Sequence, residues 1–169
     1  MVTPTDVEQE IRKIDIIVSK GDKDGNITYA NPIFFKLSGY SQSELLEKSH
    51  SKIRHPDMPK IIFKHFWEEL NKGLDVFAFV KNLSKDGSFY WVYAHVRVAK
   101  NPNGSFRNYV STRKTMNPNA RLIIEDLYKN LLDREAKGED ASVFLEEFIQ
   151  SQGQTSQTFN DVMIALQNS

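Results

Sequence analysis

Cysteine is missing from all 169 residues, so disulfides, thiolate metal sites and a cysteine nucleophile are excluded. An excess of either charge is missing as well: Lys and Arg number 22, and so do Asp and Glu. A neutral chain without a basic run lacks the electrostatic footprint of a nucleic-acid binder. It equally lacks the polybasic segment that holds proteins to anionic lipid. Apolar runs are only a few residues long, too short to span a bilayer, so direct membrane insertion is not expected. The leading MVTPTDVEQEIRK mixes acids and bases and does not read as a signal peptide, which makes the cytoplasm the expected location. No G-x-S-x-G elbow, P-loop, HExxH pair or paired-carboxylate arrangement occurs, so an enzyme is not expected. What is present is an apolar content of 40% with 11% aromatics, enough to rule out wholesale disorder and to build one good domain.

The pattern changes period along the chain. Thr5-Asp6 ahead of Val7, Glu8 and Ile11 is a capping pattern and predicts a short helix within residues 1–13. Two β-branched runs, Ile14 to Ser19 and Asn26 to Ala30, flank Lys23-Asp24-Gly25, a hairpin signal because the turn needs positive φ. Asn31 as N-cap, Pro32 at the first helical position and Gly39 as the stop bracket a short helix. Ser41-Gln42-Ser43-Glu44 is a capping box for another. From Met58 to Lys72, Phe63, Phe66, Trp67 and Leu70 recur on one helical face, ending at Gly73.

Three strands are predicted next, over Asp75 to Leu83, Ser88 to Ala99 and Ser105 to Lys114. Alternation puts Val76, Ala78, Val80 and Asn82 on one face of the first, with Phe77 and Phe79 opposite. In the second, Tyr90, Val92, Ala94, Val96 and Val98 oppose Phe89, Trp91, Tyr93, His95 and Arg97. The aliphatic faces are expected to line the core. Phe77, Phe79, Phe89, Trp91 and Tyr93 then form an outer patch too apolar to stand bare, an interaction surface for helices or a partner. After Asn117-Pro118 the chain is helical again, with stripes at Leu122, Ile123, Leu127, Leu131 and Leu132, then Val143, Phe144, Phe148 and Ile149, then Phe159, Val162, Met163 and Leu166.

The densest polar chemistry lies in IRHPDMPK, where Arg54, His55 and Asp57 precede the helix that begins near Met58. Asp57 serves either as a helix cap or as part of a ligand site, and His55 either as a packed histidine or as a pocket residue. Asn31 caps a helix in either reading, and Trp67 sits on a face that suits the core. Asn82 is harder to assign to structure alone, because a buried amide is costly unless paired.

In this order, β-β-α-α-α-β-β-β, the segment ITYANPIFFKLSGYSQSELLEKSH resembles PAS domains. The runs RHPDMPK, FWEELNKG, FVKN and DGSFYWV, and a third strand ending in STRK, resemble the sensory PAS domain of Aer-type aerotaxis and energy-taxis receptors. Without a transmembrane segment or HAMP-like linker, the chain is most similar to stand-alone, CetB-like PAS proteins of split energy-taxis systems. The resemblance implies an α+β PAS fold over residues 14–116: a five-stranded antiparallel sheet with short helices on one face, plus a helical extension over 117–169. It also implies non-covalent FAD, a redox-sensing role in chemotaxis, and a membrane chemoreceptor of the HAMP or methyl-accepting type as partner, with a homodimer as a further arrangement. Carried over, the cofactor-binding residues are Arg54, His55, Asp57, Asn82, Asn31 and Trp67. One departure is Val76, where the receptor domains carry a tryptophan. The chain has no cysteine for a light-sensing flavin adduct. A haem-binding PAS sensor, with His50, His55 or His65 as ligand, and a cofactor-free interaction module are the alternatives.

Overall fold

The computed structural model describes residues 1–153 and 157–169. Its centre is a five-stranded antiparallel sheet in the order β2-β1-β5-β4-β3. The strands are β1 (Ile17–Gly21), β2 (Ile27–Ala30), β3 (Val76–Leu83), β4 (Phe89–Lys100) and β5 (Phe106–Thr115). Between β2 and β3 come α1 (Pro32–Ser38), α2 (Gln42–Leu45), a 3-10 turn (His50–Ile53) and α3 (Lys60–Asn71). Beyond β5 lie α4 (Pro118–Ala136), α5 (Ala141–Ser151) and α6 (Phe159–Gln167). The α+β PAS architecture is thus present, including the helical extension.

Turn chemistry sets the hairpins. The Asp22 carboxylate accepts from the N–H groups of Asp24 and Asn26, both at 2.9 Å, while Gly25 takes φ +82°. A side chain at Gly25 would also press on the Trp67 ring, 3.1 Å from where its Cβ would stand. In the β3–β4 hairpin Gly87 has φ +90° and lies under the backbone of Thr3.

That contact reflects one departure from the sequence expectation. The first residues form no helix. Thr5 N–H donates to Gly87 O at 2.8 Å, Phe89 N–H to Val7 O at 2.9 Å, and Gln9 N–H to Phe89 O at 2.7 Å. Gln9 Nε2 adds bonds to Leu37 O, Ser84 Oγ and Ser88 Oγ. An isolated helix this short is marginal, and the segment satisfies its backbone better as an extended strap against the start of β4.

The aromatic sheet face is covered by the chain's own C-terminal helices, one of the two coverings expected for it. Phe79 is fully buried, and Phe89, Trp91 and Tyr93 are buried beside it. Tyr128 of α4 packs on Trp91, ring centroids 6.0 Å apart, and its hydroxyl donates to Phe79 O at 2.5 Å. Asn160 of α6 closes the exposed edge of β3: its Oδ1 accepts from Phe77 N–H at 2.9 Å and its Nδ2 donates to Asp75 O at 2.8 Å. The α6 stripe is buried as read, but α4 turns differently. Ala120, Ile124, Leu127, Tyr128 and Leu131 face inward, leaving Leu122 77% exposed.

Candidate ligand-binding site

Between α3 and the inner face of the sheet lies a cavity of about 330 Å³, at the small end of the roughly 300–1,000 Å³ usual for small-molecule sites. Phe63, Phe66, Trp67 and Leu70 of α3 form one wall, and Val80, Ala94 and Val96 of the sheet form the other. Both walls follow from periodicity, the 3.6-residue repeat of α3 meeting the two-residue repeat of the strands.

The floor is polar. Tyr109, Ser111 and Arg113, alternate residues of β5, point into the cavity, joined by Ser19 of β1, His50 of the 3-10 turn, Arg54 and Asn82. Arg113 Nη2 donates to Ser19 Oγ. Ser19 Oγ lies 3.0 Å from His50 Nε2, and His50 Nδ1 lies 3.1 Å from Gly25 O. A carbonyl only accepts, so Nδ1 carries the imidazole proton and Nε2 takes the Ser19 hydroxyl proton. Burial, with the Arg113 charge in second place, holds His50 down to about 4, which keeps the ring neutral at physiological pH. Burial likewise holds Arg113 down to about 10 and pushes the Tyr90 phenol up to about 12.

Two polar atoms of the cavity lining, Asn82 Nδ2 and Arg113 Nη1, are buried with no hydrogen-bond partner among the described residues. No ion pair involves Arg113 there; its other neighbour is the Phe34 ring, 5.1 Å away. Unmatched donors clustered in a cavity are a site's signature, since buried polar groups elsewhere are almost always satisfied.

Of the residues singled out in the sequence, Arg54, Asn82 and Trp67 come together here. The Arg54 guanidinium lies 3.7 Å over the Phe63 ring, and its backbone bridges Asn82 on the edge of β3. His55, Asp57 and Asn31 do not line the cavity. The reason is the same bridge: along an extended segment neighbours point to opposite sides, so Arg54 turns inward and His55 outward, against Phe89. Asp57 pairs with Lys81 Nζ at 2.6 Å and caps no helix. The N–H groups of Lys60 and Ile61 at the start of α3 are met by Glu135 of α4, at 3.1 and 2.9 Å. Asn31 spends its amide on β1, accepting from Val18 N–H and donating to Ile16 O. Val76 and Ala78, on the same strand face as Asn82, are buried without lining the cavity.

The lining residues that the sequence reading passed over are Ser19, Tyr109, Ser111 and Arg113, with His50 weighed only as a metal ligand. The inward positions of β5, Tyr-Ser-Arg, carried the available signal. As haem ligands the candidate histidines fit poorly. Both nitrogens of His50 are engaged, while His55 faces Phe89 and His65 stacks on Phe159 at 4.4 Å, outside the cavity lining.

A family model described as PAS fold matches residues 27–113. The chain belongs to the PAS-fold family. Within it, the chain is 38% identical to the aerotaxis receptor of Escherichia coli (strain K12) over 115 residues, 68% of this chain and 22% of the receptor. It is 27% identical to a nitrogen fixation regulatory protein of Klebsiella pneumoniae over 104 residues, 62% of this chain and 21% of the regulator. The PAS chain thus corresponds to about a fifth of each of these relatives. Among solved structures, the light-state LOV domain of the blue-light photoreceptor Aureochrome1 superposes with a TM-score of 0.55 at 21% identity, covering 73% of this chain and 92% of that one. That likeness supports the fold alone. No described helix is long and apolar enough to cross a membrane.

Proposed function

We propose that this PAS domain is a non-catalytic redox sensor whose cavity holds a flavin, specifically FAD, and whose state is read by a chemoreceptor-type signalling partner. The observation that carries the reading is the pair of unmatched donors, Asn82 Nδ2 and Arg113 Nη1, in the lining of a slot with aromatic and aliphatic walls. A flat heteroaromatic ring with acceptors along one edge matches that donor set, and the similarity to an aerotaxis receptor supports the same choice. When bound, the flavin would supply reversible electron uptake. The protein's part would be to fix the ring: Asn82 and Arg113 would hold its polar edge, with Phe66 and Trp67 as apolar walls. Arg54, at the rim on Phe63, suits a phosphate of the cofactor.

The state of the ring would leave the cavity along α3. Its inner side walls the site, its first N–H groups are held by Glu135 of α4, and His65 on its outer side stacks on Phe159 of α6. A small shift of α3 therefore loads the C-terminal helices, which present their outer surfaces to a partner. In this reading the protein acts in the cytoplasm and meets the membrane only through that partner. Freshly purified protein is expected to show a flavin absorption spectrum or to acquire one on incubation with FAD. Protein that stays colourless and takes up no FAD would exclude a flavin sensor, and a Soret band would replace it with haem.

A further inference from the structure

The floor of the cavity contains a cation that the fold does not neutralise. Arg113 is 6% exposed and crosses the centre of the sheet on β5. The hydrogen-bond chain it starts has a fixed direction: guanidinium to Ser19 hydroxyl, hydroxyl to His50 Nε2, His50 Nδ1–H to Gly25 carbonyl. Every link donates away from Arg113, and the chain ends on a neutral carbonyl. No carboxylate enters it. Nη1 is left with no partner among the described residues, in a cavity where Asn82 Nδ2 is unmatched and can donate as well.

We propose that Arg113 is the charge-selecting residue of this site, an unpaired buried guanidinium kept for the anionic or acceptor-rich end of the bound molecule. The inference rests on the cavity being a ligand site and, in the flavin reading, adds which redox form is favoured. A buried charge without a partner is strongly unfavourable, so Arg113 opposes folding until a ligand meets it. Residues that break a local rule in this way cluster at functional sites. At neutral pH the guanidinium remains charged even in this setting, because burial lowers it only to about 10. A flavin ring gains negative charge on its pyrimidine edge when reduced, so the reduced form would profit more from Arg113 than the oxidised form.

The test compares wild type, Arg113→Met and Arg113→Lys in the full chain. In ligand-free protein, Arg113→Met is expected to unfold at an equal or higher urea concentration than wild type. FAD affinity is expected to fall at least tenfold in Arg113→Met and less in Arg113→Lys. The FAD midpoint potential of Arg113→Met should move to more negative values by about 30 mV or more, which is a tenfold preferential loss of the reduced state. Benzoate and benzamide, near in shape but different in charge, serve as probes that need no flavin. Benzoate alone should protect wild type against urea, and neither should protect Arg113→Met. If wild type takes up no FAD but shows this benzoate selectivity, the flavin reading fails and charge selection stands. An Arg113→Met protein less stable than wild type, with no benzoate selectivity in wild type or with unchanged FAD affinity and potential, overturns the proposal. If Arg113→Met does not fold, Arg113→Lys decides by its benzoate response, retained for a charge role and lost for a purely structural one.

Discussion

Val80, Asn82 and Ala94 look into the cavity, while Phe79, Trp91 and Tyr93, their neighbours along β3 and β4, look into packed helices. One set of strands thus carries two opposite solutions. The outer face is filled: large aromatic rings meet α4, and each such side chain contributes roughly 1.5–3 kcal/mol by burial. The inner face lines a cavity where, among the described residues, donors are unmatched and a guanidinium has no ion-pair partner. The lesson is a division of labour, in which one face supplies the stability that lets the other remain unfinished.

The comparison is broken most directly at Phe79. Phe79→Ala is expected to destabilise by about 3–5 kcal/mol in urea unfolding, whereas Val96→Ala, which only widens the cavity that Val96 lines, should stay within about 1 kcal/mol. Equal losses would mean that the two faces are not energetically distinct.

His50 gives the next largest effect, and its sign is fixed by its depressed value of about 4 against the usual 6.5. As pH falls below 6.5 the unfolded chain binds a proton that the folded chain refuses until about 4. Stability should therefore fall across this window, by up to about 3 kcal/mol for this residue. Burial lowers His55 and His65 too, so the measurement is the difference between wild type and His50→Gln. A variant as acid-sensitive as wild type over pH 4 to 6.5 would refute the assignment.

Glu135→Ala should cost about 1 kcal/mol by thermal melt, as the loss of a helix cap does, and should also weaken ligand retention through α3. Smallest is Asp57→Asn, which removes a surface pair with Lys81 and should change stability by no more than about 1 kcal/mol, with ligand binding intact. A large loss of binding there would return the whole RHPD run to the site.

The strands, hairpins and faces were legible because they rest on local chemistry: Asp-Gly turns, β-branched runs and strict alternation from Val76 to Val98. Asn82 was found by the same logic, as a polar residue on an apolar face. The errors have equally local causes. Crowding of Arg54, His55 and Asp57 suggested one site, but an extended segment on a strand edge sends neighbours to opposite sides. A helical stripe through Leu122 and Ile123 was indistinguishable by spacing from the one through Ile124 and Tyr128 that packs. Nothing local announced that Arg113 would reach Ser19 and His50, because strand pairing across the whole domain brings them together. The N-terminal strap was hidden for the same reason: its partners are the β3–β4 turn and the start of β4.

Asn160 finishes the outer edge of β3. Its side chain imitates a strand, giving Phe77 N–H an acceptor and Asp75 O a donor. The family match ends at residue 113, yet the backbone rim of β3 is finished by a residue far beyond it. The family match and the folded unit therefore end at different places. Truncated after β5, it would present an unpaired strand edge and a bare aromatic surface, ready for a second copy or for aggregation. Transplanted as a module, it has to carry its C-terminal helices along to keep that edge and that surface covered.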